Sequence, residues 1–120
     1  MKYFIIAGEA SGDLHGSNLM KALRVEDSQA SFVGLGGDKM RAEGCDIRVD
    51  YREMAYMGII AVLANLHKVG RNLRTAQQAL LTEKPDILIL IDYPSFNLRI
   101  AKFCHKHLPQ TRIIYYIPPK

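Results

Sequence analysis

The apolar run in Asp86–Ile91 (DILILI) limits the possible folds of this chain more than any other feature. Its central positions are all apolar, so both faces of the strand that it predicts must be covered. Strands of this kind are typical of the middle of a parallel sheet that carries helices on both faces. Further strands are predicted for Lys2–Ala7, Ser31–Leu35, Asp46–Val49 and Arg112–Ile117.

Helical patterns lie between these strands. The predicted helices are Leu14–Arg24, Asp38–Glu43, Gly58 to about Glu83, and Ser95–His107. Gly44 suits the end of the second helix because glycine readily adopts a left-handed conformation. Pro85 ends the third helix because the residue before a proline avoids helical geometry. The alternation of strands and helices predicts an α/β parallel sheet with right-handed crossovers.

The length of 120 residues corresponds to one domain. A hydrophobic fraction of 48% and a charged fraction of 23% exclude a disordered chain. No run of about 18 apolar residues occurs, which excludes a membrane-spanning helix, and the N-terminal apolar run is too short for a secretion signal.

Cys45 and Cys104 fit no metal-ligand spacing and are predicted to be reduced core thiols of a cytosolic protein. The last predicted strand has no covering helix after it, so we expect the chain to be part of a larger protein.

Charge is divided unevenly along the chain. Residues 1–53 carry 7 basic and 9 acidic side chains, whereas residues 54–120 carry 9 basic and 3 acidic ones. The second part therefore favours an anionic partner, which is phosphate, nucleic acid or a membrane surface. The alternative is that its lysines and arginines only solvate surface helices, and charge alone does not decide between the two.

Ligands of open parallel sheets bind beyond the carboxyl ends of the strands. The segments predicted to lie there are Gly8–Asp13, Gly34–Asp38, Asp92–Asn97 and Pro118–Pro119. In the first segment, Gly8 and Gly12 permit a tight turn and close approach of backbone N–H groups, and the following helix N-terminus favours anions. Glu9 and Asp13 add carboxylates that can accept hydrogen bonds from sugar hydroxyls. The alternative is ordinary turn and cap chemistry, with Ser11 or Asp13 as the N-cap.

Asp92 is the best single catalytic candidate. It directly follows the most apolar strand, so a rigid element would hold its carboxylate at the ligand end of the sheet as a general base. The structural alternative is that Asp92 only caps the helix that begins near Ser95.

The four histidines show no partner spacing for a catalytic triad or a metal site, and a surface role is predicted for His105 and His107.

The stretch Met54–Leu66 contains no charged residue, and the cations Lys68, Arg71 and Arg74 follow it closely. An apolar helix end with cations at its rim is typical of docking on an anionic lipid surface, or of binding a lipid that carries a phosphate. The alternative is a helix that a second domain or subunit covers.

Several of these segments together resemble the lipid-A-disaccharide synthase family. The matching segments are Ala7–Asp13 (AGEASGD), Phe32–Gly34 with Gly36, Gly37 and Met40, Ala42–Cys45, Met57–Ile59, Lys84–Asp86, Ile91–Asp92 with Pro94, Phe96–Asn97, and Tyr115–Ile117. They run in order along essentially the whole chain. One departure is Pro118, which stands where the family usually has serine.

The resemblance implies a Rossmann-like α/β domain, residues 1–120, that is the N-terminal, acceptor-side domain of a GT-B glycosyltransferase. The C-terminal domain that binds the UDP-sugar would be absent. Such an enzyme condenses UDP-2,3-diacylglucosamine with 2,3-diacylglucosamine 1-phosphate (lipid X), which gives a β-1,6-linked disaccharide phosphate and UDP. It inverts the anomeric centre without a metal, and no cofactor is expected. The chain alone is expected to be inactive.

The resemblance also implies roles for individual residues. Asp92 matches the position of the catalytic base. The substrate-binding residues implied are Gly8, Glu9, Ser11, Gly12, Asp13 and Asn97. The residues implied in membrane or acyl-chain contact are Ile59, Ile60, Val62, Leu63, Leu66, Lys68 and Arg71. We therefore expect a bacterial enzyme of lipid A biosynthesis that binds peripherally to the anionic inner face of the inner membrane, with self-association of the chain unsurprising.

Two functions from other classes remain as alternatives. The glycine-rich loops also suit a stand-alone nucleotide- or phosphate-binding module without catalysis, but such a module does not need the uncharged stretch Met54–Leu66. The basic second half also suits a nucleic-acid binder. Against this alternative, Tyr115 and Tyr116 are predicted to lie in a buried strand and not on a basic stacking face.

Overall fold

The computed structural model describes residues 1–54 and 70–116 of the chain. The elements of this part are β1 (Lys2–Ala7), α1 (Ala10–Glu26), β2 (Ser31–Gly36), α2 (Asp38–Ala42), β3 (Asp46–Asp50), α3 (Gly70–Glu83), β4 (Ile87–Ile91), α4 (Pro94–His107) and β5 (Arg112–Tyr116). Residues 51–54 are also helical. The predicted helical residues 58–69 and the prolines at 118 and 119 lie outside the described residues.

The five strands form one sheet in the order β3-β2-β1-β4-β5, and every neighbouring pair is parallel. The centre of the sheet is β1, because β2 and β4 pair with it on either side. The prediction of an α/β, Rossmann-like parallel sheet is confirmed. The apolar strand β4 is buried from Leu88 to Ile91, as expected for a strand with both faces covered.

Helices cover both faces of the sheet, as predicted. On one face, Leu80 of α3 and Ile100 of α4 pack with Phe4, Ile6 and Leu88. The helices on the other face are α1 and α2, which place Met20 and Met40 against Ile5, Ile89 and Ile91. Successive side chains of a strand point to opposite faces, so β1 and β4 each contribute to both cores.

Most helix ends agree with the prediction, and the start of α1 does not. Gly44, with φ of +96°, follows α2, and α3 ends at Glu83 before Pro85. However, α1 begins at Ala10, four residues before the predicted Leu14. Glu9 occupies the N-cap position, so the alternative that Ser11 or Asp13 is the N-cap is wrong.

The strand β5 lies at the edge of the described sheet, where it pairs with β4 alone. Tyr115 is 55% exposed and Ile114 is 41% exposed, so the prediction that the tyrosines lie in a buried strand is wrong for Tyr115. Tyr116 is half-buried and packs against the core on the side of α1 and α2. An edge strand exposes side chains that a neighbouring strand and its helix would otherwise cover.

Both cysteines are unpaired and buried, which confirms their predicted place in the core. Cys45 lies between α2 and β3, and Cys104 is in α4. Burial raises the pKa of the Cys45 thiol to about 12, with the negative charges of Asp46 and Asp13 acting in the same direction. His105 and His107 are exposed on α4, as predicted.

Candidate functional site at the carboxyl edge of the sheet

Four strands end at the same edge of the sheet because all of them are parallel. Ala7 pairs with Ile91 at the ends of β1 and β4, and Gly36 pairs with Asp50 at the ends of β2 and β3. The residues that follow these four positions therefore line one edge, here called the carboxyl edge. The structure thus brings the three predicted segments that it describes to one place.

The first loop exposes two polar side chains at the carboxyl edge. Glu9 and Ser11 are both exposed, and the Ser11 hydroxyl donates a hydrogen bond of 2.9 Å to Oε1 of Glu9. The backbone oxygen of Glu9 accepts the first helical hydrogen bond of α1, from the Asp13 N–H at 3.0 Å. The start of α1 therefore holds Glu9 and Ser11 in a fixed position open to solvent.

Asp92 lies beside this loop, on the first residue after β4. Its side chain is exposed, and its φ of +20° turns the chain sharply away from the strand. The ring of the next residue, Tyr93, lies against Gly8: a Cβ added at Gly8 would be 2.6 Å from Cγ of that ring. The same ring stacks on Phe96 of α4 at a centroid distance of 5.3 Å. The first loop and the Asp92 loop are therefore in direct contact.

Asn97 is placed below the Asp92 loop and is only 3% exposed. Its Nδ2 donates a hydrogen bond of 3.3 Å to the backbone oxygen of Ile91, which joins the end of β4 to α4. Its Oδ1 is buried without a hydrogen-bond partner in the described part of the chain. A buried acceptor of this kind is available to a donor from a ligand or from water.

Asp13 is buried as well, with an exposure of 3%. Its Oδ1 accepts hydrogen bonds from the backbone N–H groups of Gly37 at 2.8 Å and Met40 at 3.1 Å. Its Oδ2 accepts one from the N–H of Lys39 at 3.0 Å. Of the first-loop residues predicted to bind substrate, Glu9 and Ser11 thus face solvent, whereas Gly12 and Asp13 face the protein interior.

A cluster of charged side chains at the end of β3 was not predicted from the sequence. The Asp50 carboxylate accepts hydrogen bonds from Arg41 at 2.8 Å and from the Arg52 side chain at 2.8 and 2.9 Å. The same two arginines also donate to Asp38. The Arg52 side chain, then its backbone N–H and Arg41, hold the pKa of the Asp50 carboxyl well below its usual range, against an opposing effect of burial.

This charged cluster also contacts the second glycine-rich loop. The guanidinium of Arg52 lies 5.6 Å from the centroid of the Tyr51 ring. That ring packs on Gly37, where an added Cβ would be 2.9 Å from its Cδ2. The local signal for the cluster is the close succession of acids and arginines in Asp38–Arg52, but which of them pair depends on the fold.

The residues predicted to contact a membrane or acyl chains are mostly outside the described part. They are Ile59, Ile60, Val62, Leu63, Leu66 and Lys68, and for Arg71 only the backbone in α3 is described. Among the described residues, no helix combines the length and apolar character needed to cross a membrane. In the same ranges, no three His, Cys, Asp or Glu side chains are grouped as metal ligands would be.

Comparison with known proteins identifies the family of the chain. The family model described as lipid-A-disaccharide synthetase matches residues 3–120. Lipid-A-disaccharide synthases from Geobacter metallireducens and Geobacter sulfurreducens are 47% and 45% identical over 120 residues, and that from Legionella pneumophila strain Paris is 40% identical over 116 residues. These alignments cover 97–99% of the chain but 30% of each relative, so the chain spans about a third of their length. The chain belongs to the lipid-A-disaccharide synthetase family.

Proposed function

We propose that this chain is the N-terminal, acceptor-side domain of a GT-B glycosyltransferase that makes lipid A disaccharide phosphate. The donor is UDP-2,3-diacylglucosamine and the acceptor is 2,3-diacylglucosamine 1-phosphate. The proposal is carried by one combination: a family match over residues 3–120, and an exposed Asp92 in contact, through Tyr93, with the first loop.

Asp92 acts in this proposal as the general base. Its carboxylate takes the proton from the 6-hydroxyl of the acceptor, and the resulting oxygen attacks the anomeric carbon of the donor. The bond from that carbon to the UDP oxygen breaks, UDP leaves with the electron pair, and the configuration is inverted. The exposure of Asp92 at the end of a buried strand supports this role, because the carboxylate is reachable and its backbone is held by β4.

The first loop contacts the acceptor sugar in this proposal. Glu9 and Ser11 are suited to direct contact because both side chains are exposed and already oriented by their mutual hydrogen bond. Asn97 offers a buried acceptor atom beside the end of β4, where its Nδ2 donates to the backbone oxygen of Ile91. Gly8 has no side chain, and this leaves room for the Tyr93 ring to lie against the first loop. Gly8 therefore contributes to the site by allowing the two loops to come close together, and not by contacting the substrate with a side chain.

We further propose that the enzyme meets its lipid substrates at the anionic inner face of the inner membrane. The support is the uncharged stretch 54–66 and the cations that follow it. The test is flotation of the protein with vesicles that contain anionic lipid. We expect wild type to float and the double variant Leu63→Asp with Leu66→Asp to remain in the dense fraction. Equal flotation of both proteins would contradict the membrane contact.

The proposed reaction is tested with the full-length protein that contains this chain. Both lipid substrates are supplied, and we expect a disaccharide phosphate and an equal amount of UDP. Replacing the donor with a UDP-sugar that lacks acyl chains is the control for substrate class and should release little UDP. The 120-residue chain alone should give no product. Absence of disaccharide with the full-length protein would contradict the proposed reaction, and UDP binding without turnover would favour a nucleotide-binding module.

A further inference from the structure

The start of α2 requires hydrogen-bond acceptors from elsewhere in the molecule. The helix has five residues, Asp38–Ala42, and the first four N–H groups of any helix lack a partner within it. Its N-cap is Gly37, which has no side chain to accept a hydrogen bond. A short helix with this start is unstable unless another part of the protein supplies the cap.

Asp13 supplies this cap from a different helix. Its two carboxylate oxygens accept hydrogen bonds of 2.8, 3.0 and 3.1 Å from the N–H groups of Gly37, Lys39 and Met40. The three donors lie 24 to 27 residues away along the chain, so this is a tertiary contact. Hydrogen bonds to a charged acceptor that is 3% exposed are among the stronger ones in a protein.

The same carboxylate joins the two glycine-rich loops. Asp13 lies in the first turn of α1, close in sequence to the exposed residues Glu9 and Ser11. Its oxygens contact the second loop closely enough that a Cβ added at Gly37 would lie 3.0 Å from Oδ2. A displacement of the second loop therefore requires Asp13, and with it the start of α1, to move or to give up its hydrogen bonds.

We propose that Asp13 is a positioning residue for the transfer reaction. It fixes the turn Gly37–Asp38 against the first loop and acts through that turn, without touching the substrate itself. This role rests on the proposed function and replaces the expectation that the Asp13 carboxylate binds sugar hydroxyls. Three hydrogen bonds, two of them buried and the third partly buried, engage both of its oxygens, whereas Glu9 and Ser11 are the polar side chains of that loop that face solvent.

The contact itself is tested by residue-resolved amide hydrogen exchange on the full-length protein. In Asp13→Ala, we expect the amides of Gly37, Lys39 and Met40 to exchange at least about tenfold faster than in wild type. In Asp13→Asn, the remaining oxygen can still serve Gly37 and Met40, so the largest change should be at Lys39. Unchanged exchange at all three amides in Asp13→Ala would overturn the cap.

The positioning role is tested by the kinetics of Asp13→Asn, expressed per folded molecule. We expect kcat to fall about tenfold or more, with KM for both substrates within about threefold of wild type, because the loop moves but no substrate contact is removed. Gly37→Ala should also lower kcat, and the double variant should be no slower than the slower single variant, because both changes act on one turn. Asp46→Asn is the matched control, because Asp46 is the first residue of β3 and lies at the end of that strand away from the carboxyl edge. This change should leave kcat unchanged.

Two results would overturn the positioning role, and a third would overturn the proposed function on which it rests. An unchanged kcat in Asp13→Asn, with wild type active, would show that the cap does not govern the site. A raised KM with effects that multiply in the double variant would indicate direct substrate contact. A wild-type protein that makes no disaccharide would contradict the proposed function itself, while hydrogen exchange would still report on the cap.

Discussion

The replacement Asp50→Asn should destabilise the chain by an amount that depends on pH. Asp50 is 9% exposed, and its carboxylate accepts hydrogen bonds from Arg41, from the Arg52 side chain and from the Arg52 backbone N–H. Hydrogen bonds to a charged group contribute about 1.5–3 kcal/mol, and those of Asp50 are partly buried. The side chains of Arg41 and Arg52 are 43% and 56% exposed, so solvent screens part of this contribution. We therefore expect a loss of about 1–2 kcal/mol in the free energy of unfolding at pH 7.

The sign of the pH dependence follows from the lowered pKa of Asp50. In the unfolded chain this carboxyl titrates near its ordinary value of about 3.9, whereas in the folded chain it remains ionised to lower pH. The stabilising contribution is therefore fully present above about pH 5 and is lost as the pH falls below the unfolded pKa, towards the folded one. Urea unfolding of wild type and Asp50→Asn between pH 7 and pH 3 measures the difference directly.

Asp46→Asn is the control for this measurement, because the Asp46 side chain is 63% exposed and pairs with Arg48 at the protein surface. Its effect should stay within about 0.5 kcal/mol at every pH. A stability of Asp50→Asn at pH 7 that is no lower than that of this control would refute the stabilising role of Asp50. A difference between Asp50→Asn and wild type that grows on acidification would refute the expected pH dependence.

Two further predictions concern the thiols and Gly8. In the folded chain, neither Cys45 nor Cys104 should react with a thiol reagent at pH 7 within minutes, because both thiols are buried and burial raises the pKa of each. Both thiols should react in urea. Rapid labelling of the native chain would contradict their burial. In full-length protein, Gly8→Ala should lower kcat several-fold, since its Cβ would displace the Tyr93 ring and the loop of Asp92. Wild-type kcat would show that the two loops are not coupled through this contact.

The strands were predictable because their signal is local. An apolar strand such as β4 can be recognised from its own residues. All five predicted strands are present, and their predicted ends agree with the structure within one residue, except that Ile117 lies outside the described residues. The start of α1 was missed because glycine and serine are typical of turns. Gly12 lies instead inside the helix, where an added Cβ would be 3.2 Å from Cβ of Ala7, so close packing on the sheet outweighs the local preference.

The edge position of β5 could not be read from its residues. Its sequence is as apolar as that of an inner strand, but burial of Tyr115 depends on what lies beside the strand in space. The same limit applies to the role of Asp13. Its partners lie 24 to 27 residues away, and the sequence contains no local pattern that identifies a carboxylate as the cap of a distant helix.

The carboxyl edge itself was predictable because it follows from topology. Once every strand is parallel, residues that follow the strands must meet at one edge. The contact of Gly8 with Tyr93 confirms that the first loop and the Asp92 loop lie together. The chemistry assigned to Asp92 remains a prediction.

The most direct test of that chemistry compares two aspartates at opposite ends of one strand in full-length protein. Asp92→Asn removes the carboxylate at the carboxyl end of β4, and Asp86→Asn makes the same change at the amino end, where the side chain accepts a hydrogen bond of 2.8 Å from the Lys2 N–H. We predict that kcat falls by at least about a hundredfold in Asp92→Asn while the fold is retained, and that Asp86→Asn stays within about twofold of wild type. A folded Asp92→Asn enzyme with near wild-type kcat would contradict the account.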